Sequence, residues 1–189
     1  MAIDKSTREH IVESADRLFY HRGFEHTSFA DIADEVKISR GNFYHHFKSK
    51  DEILEAVIEL RLDRTQQMLD SWESDGQNPT ERIRKFVHIL IMNQTKIKLY
   101  GCPVGTLCTE LAKLNHVSKP HANKLMTLFR TWLAKQFIAA GRKKDSDELA
   151  MHLLARSQGV ATLVNTFHDE KFVKSEVRRM EEWLTSQIS

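Results

Sequence analysis

Apolar side chains recur along this chain at three- and four-residue spacing, and no stretch keeps the two-residue alternation of a half-buried strand. Residues 6–22 place Ile11, Ala15, Leu18 and Phe19 on one helical face, with Ser6 and Glu9 spaced as a capping box. Gly23 stands where a helix would end on a left-handed residue. Thr27 or Ser28 can cap a short second helix with Phe29, Ile32, Ala33 and Val36 inward. Lys37 and Ile38 form a tight joint, and Ser39 caps a third helix carrying Phe43 and Phe47. Ser49 caps a fourth, which runs through Ile53, Leu54, Val57, Leu60 and Leu62 to about Trp72, with Asp51 and Glu52 in its first turn.

Residues 74–80, SDGQNPT, read as a linker. Thr80 then opens a helix with Ile83, Phe86, Val87, Leu90 and Ile91 on one face, which breaks at Tyr100–Pro103. Pro103 starts a short helix, and 115–120 is another joint. The next helix carries Leu125, Phe129, Trp132, Leu133 and Phe137 and stops near Gly141. Residues 145–168 and 171–188 form two last helices, the second with Val173, Val177, Met180 and Leu184 at strict a/d spacing. The pattern predicts an all-α chain of about nine helices.

Composition narrows the class. A hydrophobic share of 41% and a charged share of 29% over 189 residues describe an ordinary folded chain, not a disordered one. The longest run of large apolar side chains, Ile89–Met92, is far short of the roughly 20 residues of a membrane span. The segment MAIDKSTREHIVES has no apolar core of signal-peptide type, and two cysteines make no disulfide framework, so a cytoplasmic location is expected. Net charge is only +2, so any nucleic-acid surface must come from local clustering.

Such clustering is present. Five consecutive ring residues, Phe43 to Phe47, exceed what one buried stripe takes. Phe43 and Phe47, four apart, suit the inner face; Arg40, Asn42, Tyr44, His45 and His46 are left outside. From Val36 to Lys50 the chain has four basic residues and no acidic one, as a phosphate-facing surface requires. Three short helices with a tight joint between the second and third match a helix-turn-helix, with Ala33 allowing a close crossing and Ile38 and Phe43 as the wedge. By type, Tyr44, His45, His46, Lys48 and Lys50 are phosphate donors, and Arg40 and Asn42 can read guanine and adenine edges. Thr27 and Ser28 could hold a further phosphate at a helix start.

The string GFEHTSFADIADEVKISRGNFYHHFKSKDEIL resembles the DNA-binding region of the TetR family of bacterial repressors. The similarity lies in the G-F-x-x-T-S entry, the I-A of the second helix, S-R-G-x-x-Y-x-H-F, and K-S-K-x-x-L. The resemblance puts the family's phosphate-contacting Tyr, His and Lys on Tyr44, His46 and Lys50. Lys37 stands where many members carry Gly at the turn, with a left-handed strain of about 1 kcal/mol and an added charge near the DNA. The resemblance implies residues 1–48 as a DNA-binding domain and 49–189 as a helical effector-binding and dimerisation domain.

The rest of the chain is only generically similar to that family. Helices 145–168 and 171–188 are the expected homodimer elements, the first with Ser157, Gly159 and Ala161, the second with its a/d seam; the alternative is that these faces close the protomer's own core. In YGCPVGTLCTELA the pattern G-C-x-x-G-x-L-x-x-E is similar to one in a subset of such regulators. Cys102 precedes a helix start, where the dipole favours an anionic sulfur, so it is a candidate sensor thiol; the other reading is that Cys102 and Cys108 are small buried hydrophobes, as most free cysteines are. Tyr100, Phe129 and Trp132, with these cysteines, are the effector candidates. Ten histidines show no metal-ligand spacing, and no nucleophile–base pair or phosphate loop stands out, so no metal, cofactor or enzymatic activity is expected. The expected function is a homodimeric regulator of operator DNA, released by a small apolar or aromatic effector or by thiol chemistry at Cys102, with a helical enzyme or scaffold as the alternative outside that class.

Overall fold

Several helices begin at a short polar side chain, Ser6, Ser28, Ser39 or Asn78, that takes up a free amide of the first turn. In the computed structural model, residues 6–75 and 78–188 are described, with the Arg40 side chain outside the described residues; of the expected linker, Gly76 and Gln77 also lie outside them. Among the described residues are ten α-helices and no strand: α1 Thr7–Arg22, α2 Phe29–Val36, α3 Arg40–His46, α4 Lys50–Ser74, α5 Pro79–Met92, α6 Gln94–Tyr100, α7 Pro103–Lys113, α8 Lys119–Ala139, α9 Ser146–Phe167 and α10 Glu170–Ile188. The capping box of Ser6 and Glu9 is formed, and Ser28 and Asp31 make a second one at α2.

Two local differences from the expected pattern have simple causes. One long helix was expected over 80–99; instead Asn78 caps a helix with Pro79 in its first position, and the chain breaks at Asn93, whose φ of −108° and ψ of 11° separate α5 from α6. Neither Gly nor Pro marks that break; the Asn93 side chain secures it by donating to the Ile89 carbonyl at 3.2 Å. At the end of α1, Gly23 has φ 87° and ψ 158°, the mirror of extended backbone and open to glycine, in place of the expected left-handed cap.

The chain packs as two units. The first holds residues up to Arg64 together with Thr106–Lys124. Its core joins Ile11, Ala15 and Phe19 of α1 and Ile32 of α2 to Phe43 and Phe47, then to Ile53, Leu54, Val57 and Ile58 of α4, Leu107 and Leu111 of α7, and Ala122 of α8. An ion pair between buried Arg61 and half-buried Asp16 ties α1 to α4: Arg61 Nε donates to Asp16 Oδ1 at 2.6 Å.

The second unit holds Thr65–Gly105 and Leu125–Ser189. Here α10 packs on α5 and α9, and α6 on α9. The a/d seam of α10 lies in this core: Val173, Val177, Met180 and Leu184 are all buried. The alternative reading of the seam therefore holds. It closes the protomer, because a/d spacing defines an apolar stripe without naming its partner. Ser157 and Ala161 of α9 are buried as well, while Gly159 is exposed. Glu176 of α10 accepts from Arg156 of α9 at 3.0 Å and, within its own helix, from Arg179 at 2.7 Å. Burial works against this carboxylate, but the two guanidinium groups outweigh it and hold it below the usual glutamate range. No helix in the described residues is long and apolar enough to cross a membrane.

Candidate nucleic-acid interface

Helix α3 starts at Ser39, whose Oγ accepts the Asn42 amide at 3.3 Å. Seven residues make only two turns, so its orientation must come from packing. Phe43 supplies it: fully buried, its ring meets that of Phe29 edge-on at 4.5 Å. Phe47 is buried at the C-cap, and the Arg8 guanidinium lies 4.9 Å over its ring. Helical geometry then turns Asn42, Tyr44 and His45 to solvent, with His46 half-buried. Tyr44 keeps 51% of its surface in water while Phe29 flanks its ring at 5.0 Å, a brace that steadies the phenol without covering it.

Lys37 and Lys48 are also exposed on the flanks of this surface. Lys37 has φ 57° and ψ 41°, the expected left-handed turn between α2 and α3, and its amide closes α2 by donating to Ala33 and Asp34 carbonyls. The Lys48 amide donates to Glu52 at 2.7 Å and its ammonium to the Tyr44 carbonyl, so α3 is tied to the start of α4.

Besides Lys48, three residues in the expected phosphate-facing set have other engagements. Thr27 is a correction: it is fully buried, and its hydroxyl donates to the Gly23 carbonyl at 2.7 Å inside the turn before α2. Ser28 is exposed, but the Asp31 carboxylate accepts its amide at 2.7 Å and its hydroxyl at 2.6 Å. Those bonds hold the Asp31 carboxyl below the usual aspartate range, so an anion already occupies the start of α2. Lys50 is half-buried; its ammonium donates to the Phe24 carbonyl at 3.0 Å and sits 4.1 Å over the Phe24 ring. Of the remaining set, Arg40's side chain lies outside the described residues.

One residue with a direct hold on this head went unassigned in the sequence. Glu110 of α7 accepts the Phe24 amide at 3.0 Å and the Glu25 amide at 2.9 Å. It is the acidic position of the G-C-x-x-G-x-L-x-x-E pattern, which was the available signal.

The effector candidates do not form one group. Cys108 belongs to the first unit, where its thiol donates to the Ala122 carbonyl at 3.5 Å. In the second unit, Phe129 packs against Phe86 and Trp132 against Trp72, each pair at 5.6 Å, and Tyr100 ends α6 half-buried. Cys102 Sγ accepts from the Gly105 amide at 3.4 Å and from Gln158 Nε2 at 3.5 Å. An open cleft of about 900 Å³ in this unit, lined by Trp72, Lys85, His88 and Glu181 among others, includes none of the five candidates. Among the described residues no group of three or more His, Cys, Asp and Glu side chains is placed to hold a metal ion.

Two short helices joined at a left-handed residue, the second anchored by inner rings and turning outer polar side chains to solvent on an acid-free segment, are the arrangement of a helix-turn-helix. Residues 11–57 match the model of bacterial regulatory proteins of the tetR family. Among curated relatives, an uncharacterized HTH-type transcriptional regulator of Lactococcus lactis subsp. lactis is 28% identical, over 90% of this chain and 89% of that one. The HTH-type transcriptional repressor DhaR of Mycobacterium sp. (strain GP1) is 26% identical, over 80% and 79%. A TetR transcriptional regulator from Legionella pneumophila superposes over the whole of both chains with a TM-score of 0.85 at 24% identity. Residues 11–57 are thus a DNA-binding region of the tetR type, and the chain as a whole shares the fold of TetR regulators.

Proposed function

We propose that this regulator is a homodimeric repressor that holds double-stranded operator DNA through α3 and releases it when a small apolar or aromatic molecule binds the helical domain. The observation that carries the DNA half is the division of α3: Phe43 and Phe47 inward, Asn42, Tyr44 and His45 outward, within a segment free of carboxylates. On this reading Asn42 and Arg40 face base edges, while Tyr44, His45, His46, Lys37 and Lys48 meet phosphates. Lys50 acts chiefly by fixing the Phe24 turn, and Ser28 by capping α2. Residues 1–48 serve as the DNA-binding domain and 49–189 as the effector and dimer domain, acting in the cytoplasm. Pairing through α9 is supported by its outer stripe, where Met151, Leu163 and Phe167 are 41%, 41% and 70% exposed and Gly159 permits close approach. Aromatic pairs at Phe86–Phe129 and Trp72–Trp132 suit an apolar effector. Release is a population shift: the effector favours a recognition-helix spacing that no longer fits the operator.

Selection of duplexes from a random-sequence pool tests this reading. The expected product is a two-fold symmetric site with half-sites about one helical turn apart, bound by two chains. Recovery of no preferred sequence, or of one chain on an asymmetric site, would overturn it.

A second reading has its own observation: two N–H donors converge on Cys102 Sγ at the start of α7. Gly105 makes the approach of Gln158 possible, since a Cβ there would lie 2.3 Å from Gln158 Oε1. On this reading oxidation or alkylation of Cys102 releases the DNA. Cys102→Ser should then bind operator yet stay bound in oxidant; release equal to that of the wild type excludes the thiol.

A further inference from the structure

The turn between α1 and α2 decides how the head's helices are set, and it is gripped from outside its own sequence. Gly23 leaves α1 in a glycine-only conformation, and Phe24 is buried with its ring edge-on to Phe19 at 5.3 Å. The Phe24 peptide is then held on both sides. Its amide donates to Glu110 and its carbonyl accepts from Lys50, while the next amide, of Glu25, donates to the second Glu110 oxygen. A side chain at residue 23 would press against this carboxylate, its Cβ 2.9 Å from Glu110 Oε1. Both bonds are charge-assisted and reach across 86 and 85 positions of sequence. Leu107 and Leu111, buried in the same core, hold α7 against the head on either side of Glu110.

We propose that Glu110 is a positioning residue for operator binding: by taking both amides of the α1–α2 turn, it holds α2 and α3 in the orientation that fits the operator. This rests on the DNA-binding reading above. A carboxylate is needed because it presents two acceptors. A glutamine has one, and its NH₂ would face the second amide donor to donor. The consequence is specific. Misorienting the head weakens base and register contacts, whereas charge attraction to any duplex is unaffected.

The experiment compares the full chain with Glu110→Gln and Glu110→Ala. Each is titrated against a duplex selected by the wild type and against an unrelated duplex, at several salt concentrations, with urea stability and amide exchange measured alongside. The expected result is a fall of about tenfold in the ratio of specific to unrelated affinity for Glu110→Gln, as expected for one lost bond to a charged acceptor. The fall is greater for Glu110→Ala, the salt slope on the unrelated duplex is unchanged, and exchange at Phe24 and Glu25 is faster. If specific and unrelated affinity fall together in step with folded fraction, Glu110 is only structural and the proposal is wrong. An unchanged ratio in both variants also overturns it. If the wild type itself shows no salt-dependent binding to any duplex, the DNA-binding reading fails first, and the proposal with it.

Discussion

Replacing Phe43 with Ala should strongly destabilise the head, and the size of the effect follows from the packing. The ring is fully buried, and it meets Phe29 edge-on at 4.5 Å. Removing a buried Phe costs about 3–5 kcal/mol, to which the loss of the aromatic pair contributes about 0.5–1.5 kcal/mol. A domain of ordinary stability has about 5–15 kcal/mol in hand, so Phe43→Ala takes a large share of it and leaves a head at the low end of that range marginal. Tyr44→Ala, one position on, removes a half-exposed ring and should cost under about 1 kcal/mol. Urea unfolding separates the two. Trp72, Trp132 and Trp183 all lie in the second unit, so their fluorescence follows that unit, while far-UV circular dichroism follows every helix. Phe43→Ala should lose helix signal at lower urea, before the tryptophans respond. A cost below about 1 kcal/mol for Phe43→Ala, or an equal cost for Tyr44→Ala, refutes the assignment of inner and outer faces.

Two further outcomes are expected. Lys37→Gly should stabilise the first unit by about 1 kcal/mol, since glycine takes φ 57° without strain, yet reduce the salt slope of operator binding by about 2, one for the charge lost from each of the two chains; unchanged stability in urea unfolding would show the turn is not strained. Because Glu176 is held below its ordinary range in the fold, its contribution is complete above about pH 4.3 and fades as pH falls through the lower, folded value. The tryptophan-reported melting temperature should therefore drop in acid, and drop less steeply in Glu176→Gln; a profile identical in both proteins would remove Arg156 and Arg179 from the account.

Much of this was legible in local pattern. Ser6 with Glu9 announced a helix start because a capping box closes within four residues, and the i, i+4 pair Phe43 and Phe47 separated the faces of α3 by periodicity alone. What was hidden depended on distant partners. Thr27 could be a phosphate donor or an internal one, and only the Gly23 carbonyl decides. Lys50 sits among basic neighbours in sequence, but the Phe24 carbonyl, 26 residues back, takes its ammonium. Glu110 lies far from the head in sequence and against it in space. The seam of α10 was visible as a stripe, but α5 and α9, which cover it, could not be read from its spacing.

On the proposed reading the outer face of α3 meets operator phosphates and bases. The most direct test is operator affinity across a series of salt concentrations for the wild type and for Tyr44→Phe, which keeps the ring beside Phe29 and removes only the hydroxyl. With Lys37 and Lys48 on phosphate in each of two chains, and with Arg40 and Lys50 added at most, log K should fall against log salt with a slope between about −4 and −7. Tyr44→Phe should bind about 10- to 100-fold more weakly while melting like the wild type. A flat salt response, or full affinity without the hydroxyl, would contradict the account.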